Sequence, residues 1–207
     1  MADAFHFSAI EIAGLHDRAT RLWHDDSFHV VATGHPFEGT VLAQHRANFD
    51  LWHTEDRARA PHATDADIAE VKRAIDRYNQ KRNDLAEQCD VMLLDYAPAA
   101  LRSQAGFAST AQLSSESPGL MIDRLSILAL KIFHTEQEVA RPNAPEGHNE
   151  RNRQRLALLT EQRDDLVACL DQLWSDVLAG TRRFKIYRQL KMYNDPTLNP
   201  AIYGSNH

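Results

Sequence analysis

The stretch Ser117–His134, "SPGLMIDRLSILALKIFH", decides the fold. Its start is written in its first residues. Ser117 offers an oxygen to the free N–H groups of a first turn, and Pro118 lacks an N–H that would need a partner there. Beyond them, apolar residues fall on nearly every side of a helical projection. Such a helix has no face to give to water and belongs in the middle of a domain. Its walls must be other helices, because no segment of the chain shows convincing strand alternation.

Outward from this central helix, proline and glycine punctuation marks out the others. The first runs from about Ser8 to His24, with a Ser8-x-x-Glu11 box at its start and an Ile12, Leu15, Ala19, Leu22 stripe. The second starts near Thr40 and ends by Ala60, before Pro61. Thr64 and Asp67 open the third, which reaches about Tyr96. A break at "RPNAPEGHN" precedes the fifth, Asn149 to Ala179, with Gly180 as its C-terminal cap. Residues 97–116 read as a long loop. The basic run "RRFKIYRQLK" reads as a short helix, able to fold back as a lid, and an irregular tail fills about 194–207. The expectation is all-α: an elaborated antiparallel bundle of about five long helices, one domain over 1–207.

Three helices carry polar residues where apolar ones are expected. In the third, Arg82 interrupts the stripe Ile68, Val71, Ile75, Tyr78, Leu85, Met92. Beside it runs an amide and carboxylate row of Asp76, Asn79, Asn83, Glu87 and Asp90. In the second, Asn48, Trp52, Glu55 and Arg59 share one face. In the central helix, Asp123, Arg124, Ser126 and Lys131 break an otherwise apolar surface. Buried charges need partners or a ligand. Asp123 is therefore expected to pair with Arg82 or Arg163, and the three rows to converge on one polar cleft. The pair Glu87-x-x-Asp90, with Asp56 opposite, is the candidate for a shared Mg²⁺ or Mn²⁺ ion.

Composition limits the function classes. With 207 residues, 43% hydrophobic and 25% charged, the chain has an ordinary globular balance. No run is long and apolar enough for a membrane span. The opening "MADAFHFSAIEIAGLHDR" lacks a basic region followed by an apolar one, so no secretory signal is expected and the cytoplasm is the default location. The net charge of −6 coexists with a local cluster of Arg182, Arg183, Lys185, Arg188 and Lys191. An acidic body with one basic patch suits a small anion better than general nucleic-acid binding. Cys89 and Cys169 read as small buried hydrophobes. The 11 histidines include no His-x-x-x-His pair, so they read mostly as surface residues and a structural zinc site is not expected.

Four blocks together resemble a bacterial family, the domain of unknown function 4254: "NFDLWHTEDRAR", "AIDRYNQKRNDLAEQCD", "SESPGLMIDRLSILALKIFH" and "RRFKIYRQLKMYNDPTLNP". The resemblance extends over about residues 10 to 203. It implies a stand-alone helical protein whose relatives tend to be encoded near glycosyltransferases of envelope polysaccharide synthesis. It brings no activity, only positions: Asn48, Trp52, Glu55, Asp56 and Arg59, then Asp76, Asn79, Arg82, Asn83, Glu87 and Asp90. Asp123, Arg124 and Lys131 follow in the third block, and Lys185, Arg188, Lys191, Asn194 and Asp195 in the fourth. A more distant likeness is to the all-α nucleoside triphosphate pyrophosphohydrolases. Glu87-x-x-Asp90 matches one of their metal-binding pairs, whereas Ala58 stands where the other pair would need a second acid after Glu55.

Two functions follow as expectations. One is a module that holds a phosphorylated or nucleotide-linked sugar and serves a glycosyltransferase. Its ligand would meet Asn48, Trp52, Glu55, Arg59, Asn79, Arg82, Asn83, Asp123, Arg124 and Lys131 in the cleft, and Lys185, Arg188 and Lys191 on the lid. The other is a Mg²⁺- or Mn²⁺-dependent phosphoanhydride hydrolase built on Asp56, Glu87 and Asp90. A purely structural or interaction role stands behind both.

Overall fold

The computed structural model describes residues 6–26, 28–103 and 106–188. It is an all-α bundle. The long helices are α1 (Ala9–Asp25), α2 (Pro36–Ala58), α3 (Asp65–Tyr96), α5 (Pro118–Ala140) and α6 (His148–Leu178), with a single turn, α4 (Ala99–Arg102), after α3. Two short strands, β1 (Gln112–Leu113) and β2 (Arg182–Arg183), pair in parallel. Among the described residues no helix is long and apolar enough to cross a membrane.

Four of the five long helices begin where a side chain satisfies a free N–H group, whereas α6 starts after the left-handed Gly147 with no side-chain cap. Ser8 caps α1, and Thr64 and Asp67 close a reciprocal capping box on α3. Helix α2 begins earlier than the expected Thr40: His35 accepts from the Phe37 N–H, Glu38 reaches back to His35, and Pro36 takes the first position. A histidine outside the usual set of capping residues hid that start. At the head of α5, the buried Asp90 of α3 accepts from the Ser117 hydroxyl at 2.5 Å and the Gly119 N–H at 2.6 Å. A Cβ on Gly119 would lie 2.1 Å from the Ala86 carbonyl oxygen, so only glycine lets α3 and α5 come this close.

Cross-helix contacts set the directions. Thr40 meets Met92, Asn48 meets Arg82 and Arg57 meets Glu70, so α2 and α3 run antiparallel. Helices α1 and α6 do the same, through Ala9 with Asp171 and Asp17 with Arg163. Helix α5 is central as expected: Ile122, Leu125, Leu128 and Leu130 join the core beside Val41, Phe49, Leu93, Leu170 and Leu173.

Two expectations fail at the far end. The run Arg182–Arg188 is not a helix. Gly180, at φ 71°, stops α6 and turns the chain. Residues 180–183 then hydrogen-bond to 108–114: Ala108 N–H to Gly180 O at 3.0 Å, and Ser114 N–H to Arg183 O at 2.8 Å. Phe184 is buried while Lys185 and Tyr187 are exposed, the alternation of extended chain. The stretch read as a loop, 97–116, accordingly contains α4 and β1. Lys191 and the tail from 194 lie outside the described residues.

Candidate functional site

The anomalous polar residues of α2, α3 and α5 do meet, but inside the bundle. Asp123 accepts from Gln44 and, at 2.9 Å, from Asn48. Arg82 donates to the Asp123 carboxylate and to the Asn48 side-chain Oδ1, each at 3.3 Å. Asn48 also donates to Ser126, which lies 2.7 Å from His45, and His45 in turn lies 2.9 Å from Thr20. Burial pushes the Asp123 carboxyl above its usual range, against the pull of Arg82 and the two amides. Asn83 is buried on the same helix as Arg82, and Asn79 is half-buried. The arrangement ties α1, α2, α3 and α5 together and offers little surface to a ligand. Arg163, the other stripe-breaking arginine, pairs with Asp17 at 3.3 Å.

The remaining sequence candidates separate. Glu55 and Asp56 pair with Arg59 at the exposed end of α2, at 3.0 and 3.3 Å. Asp56 stands beside the residue facing Glu70, whereas Glu87 and Asp90 lie about 25–30 Å further along α3 at the usual rise per residue. Asp90 is spent on the α5 cap, and its carboxyl is pushed up to about 6, first by burial. The structure thus does not bring Asp56, Glu87 and Asp90 to one ion. Arg124 is held by Glu116 at 2.8 Å. Lys185 and Arg188 are exposed beyond β2.

Two of the flagged residues, Trp52 and Lys131, do line an open groove of about 440 Å³. It lies between α2, α5 and α6, with His134, Asn152, Arg155 and Glu138 among its other walls. Trp52 stacks on the His134 ring at 4.9 Å and 8°. Asn152 is buried and presents its Oδ1 to Arg155 at 3.0 Å, which steadies the guanidinium. Among the described residues neither Lys131 nor Arg155 has a carboxylate within ion-pair distance. Glu138, at the rim, is engaged by His148 at 2.8 Å and Arg141 at 3.3 Å. Lys131 also borders a second groove of about 610 Å³, further along the α5–α6 seam, where Arg124, Asp165 and the exposed Cys169 lie.

Asn152, Arg155 and His134 were not legible as site residues. The sequence around the first two, "ERNRQR", reads as a solvated helix face, and His134 reads as a helix end. The histidines as a set also differ from expectation. His16 and His45 are fully buried, with ring centroids 4.6 Å apart. His24, His53 and His134 come together from α1, α2 and α5. Cys169 is exposed, contrary to the reading of both cysteines as buried.

Fold and groove define a helical bundle with an aromatic, cation-lined cleft on one side. The model of a protein family of unknown function, DUF4254, matches residues 38–186, well over half of the chain, and the chain belongs to that family. No curated protein and no solved structure matches it.

Proposed function

We propose that the chain is a binding module for a phosphorylated or nucleotide-linked sugar, held in the groove between α2, α5 and α6, and that it serves glycosyl transfer in envelope polysaccharide synthesis. The observation that carries this reading is the pairing of a flat aromatic wall with two cations that have no acidic partner among the described residues. The Trp52–His134 stack presents an apolar face of the kind on which a sugar ring or a base rests. Lys131 and Arg155, on facing helices, supply charge for a phosphate, and Arg155 is steadied for a directional contact by Asn152. The volume fits a sugar phosphate or part of a nucleotide sugar. The same feature argues against a mere solvated edge, where such cations would be neutralised as Arg124 and Arg59 are.

The test is calorimetric titration of the protein with glucose 1-phosphate and with a uridine diphosphate sugar, at two salt concentrations. Arg155→Ala should weaken binding by about 1–3 kcal/mol, the range for a charge-assisted hydrogen bond. Higher salt should weaken it further by screening. Equal affinities for parent and Arg155→Ala would refute the placement of the phosphate.

A further inference from the structure

Three histidine ring nitrogens are buried and unpaired among the described residues. They are the Nε2 atoms of His24, His53 and His134. One ligand atom from each of the three rings lies within 4.8 Å of the other two. The three come from different helices, so their meeting does not follow from one element's periodicity. Leaving a buried polar atom unpaired costs on the order of 1–3 kcal/mol, and here the cost would fall three times in one place.

On two of the three rings the outer nitrogen fixes Nε2 as the acceptor. His24 Nδ1 lies 2.7 Å from the Thr20 carbonyl oxygen, which can only accept, so Nδ1 carries the hydrogen and Nε2 keeps its lone pair. His134 Nδ1 has the same relation to Gln137 Oε1 at 3.2 Å. Ring packing fixes the planes: Phe133 lies 4.1 Å from His24, Phe49 lies 4.5 Å from His53, and Trp52 stacks on His134. Burial, together with the neighbouring imidazoles, holds His53 and His134 below the usual histidine range. Asp56, one turn beyond His53, is an acidic charge felt by both His53 and His134.

We infer that His24, His53 and His134 hold one divalent transition-metal ion of the zinc type through their Nε2 atoms, with the fourth position left to solvent. Imidazole nitrogens are the donors that such ions select, and an outer hydrogen bond orients two of the three rings, whereas Mg²⁺ takes oxygen ligands. A tetrahedral zinc site holds its nitrogens about 3.3 Å apart, so modest rotations of the three rings close the shell. Because His134 also forms one wall of the groove, the ion would brace the Trp52 face. The metal site stands on its own observations and does not depend on what the groove binds.

The experiment uses untagged protein freed of metal with a chelator and desalted. Co²⁺ titration followed by visible absorption, and Zn²⁺ titration against a chromophoric chelator, report stoichiometry and affinity. The expected result is one equivalent bound at about micromolar Kd or tighter, with no competition from millimolar Mg²⁺. His53→Ala and His24→Gln should each weaken binding by about 100-fold or more, and Gln137→Ala, which only orients His134, by about 10-fold. His62→Ala, in the exposed α2–α3 turn, should leave both readouts unchanged. Circular dichroism confirms that each variant is folded, and the glutamine variant retains bulk that alanine gives up. No tight equivalent in the folded parent, or an equivalent that persists at full affinity in both ligand variants, overturns the site. Titrating a sugar phosphate into the metal-free protein keeps failure here distinct from failure of the groove reading.

Discussion

Arg82 and Asp123 form the least exposed ion pair across helices among the described residues, and removing one member should cost far more than removing both. Their side chains are 23% and 13% exposed, and the N–O distance is 3.3 Å. At an effective dielectric of about 20 that separation corresponds to roughly 5 kcal/mol of attraction, much of it cancelled by the desolvation of the two charges. Arg82→Ala leaves Asp123 charged in the interior with only the Gln44 and Asn48 amides as donors, and it empties part of the α3 seam. The loss should be about 3–4 kcal/mol, near the usual range for a stranded buried charge. Arg82→Met refills the seam and should recover about 1 kcal/mol of that. Combining Arg82→Met with Asp123→Asn strands no charge, and the amide oxygen introduced on α5 can still accept from Gln44 and Asn48. The double variant should fall within about 1.5 kcal/mol of the parent, giving a coupling of about 2–3 kcal/mol in the cycle. Urea unfolding at neutral pH, followed by far-ultraviolet circular dichroism with unchanged m-values, measures each corner. Losses that add to within about 0.5 kcal/mol would refute the idea of a mutually dependent pair.

Other expectations follow from the same contacts. Gly119→Ala forces a Cβ against the Ala86 carbonyl oxygen and should destabilise by about 3 kcal/mol or more by urea unfolding, whereas Gly39→Ala, where a Cβ meets nothing within 4 Å, should be neutral or stabilising. Asp90→Asn retains an acceptor for the Gly119 N–H and should cost about 1 kcal/mol, against about 2–3 kcal/mol for Asp90→Ala, by the same assay. His16 is fully buried and held at about 3 by desolvation. The unfolded chain therefore takes up a proton near pH 6.5 that the folded one refuses, so this contribution is absent above pH 6.5 and lowers stability as pH falls toward 3. The raised carboxyl of Asp90 opposes that slope below about 6. His16→Met should thus flatten the pH dependence between about 6 and 4 by up to about 1.4 kcal/mol per unit relative to the parent. Identical slopes would show that His16 is not held neutral.

The fold was legible where a residue's physical demand has one answer. The all-round apolar α5 had to be central, and Pro118, Thr64 and Gly180 mark boundaries that the structure keeps. Arg82 in a seam demanded a buried acid, and Asp123 provides it. What escaped depends on pairings between distant segments. Phe184 and Ile186 alternate with Lys185 and Tyr187, but the density of basic charge reads as a helix, and the partner segment at 112–113 is two residues long. The groove escaped for the same reason. Trp52 and Lys131 stand out by spacing, yet Asn152 and Arg155 acquire meaning only when α6 is laid across α5. The histidine trio likewise has no sequence period, because each ring comes from its own helix.

The claim that the groove of Trp52, Lys131 and Arg155 receives a phosphorylated sugar is tested most directly by titrating a uridine diphosphate sugar into the parent protein and into Trp52→Ala with Arg155→Ala. The account predicts saturable binding at submillimolar concentration by the parent, weakened at least about 100-fold in the double variant by the joint loss of stacking face and cation. No binding of a nucleotide sugar or sugar phosphate to the parent at millimolar concentration, or binding unchanged by the two substitutions in a folded protein, would contradict it.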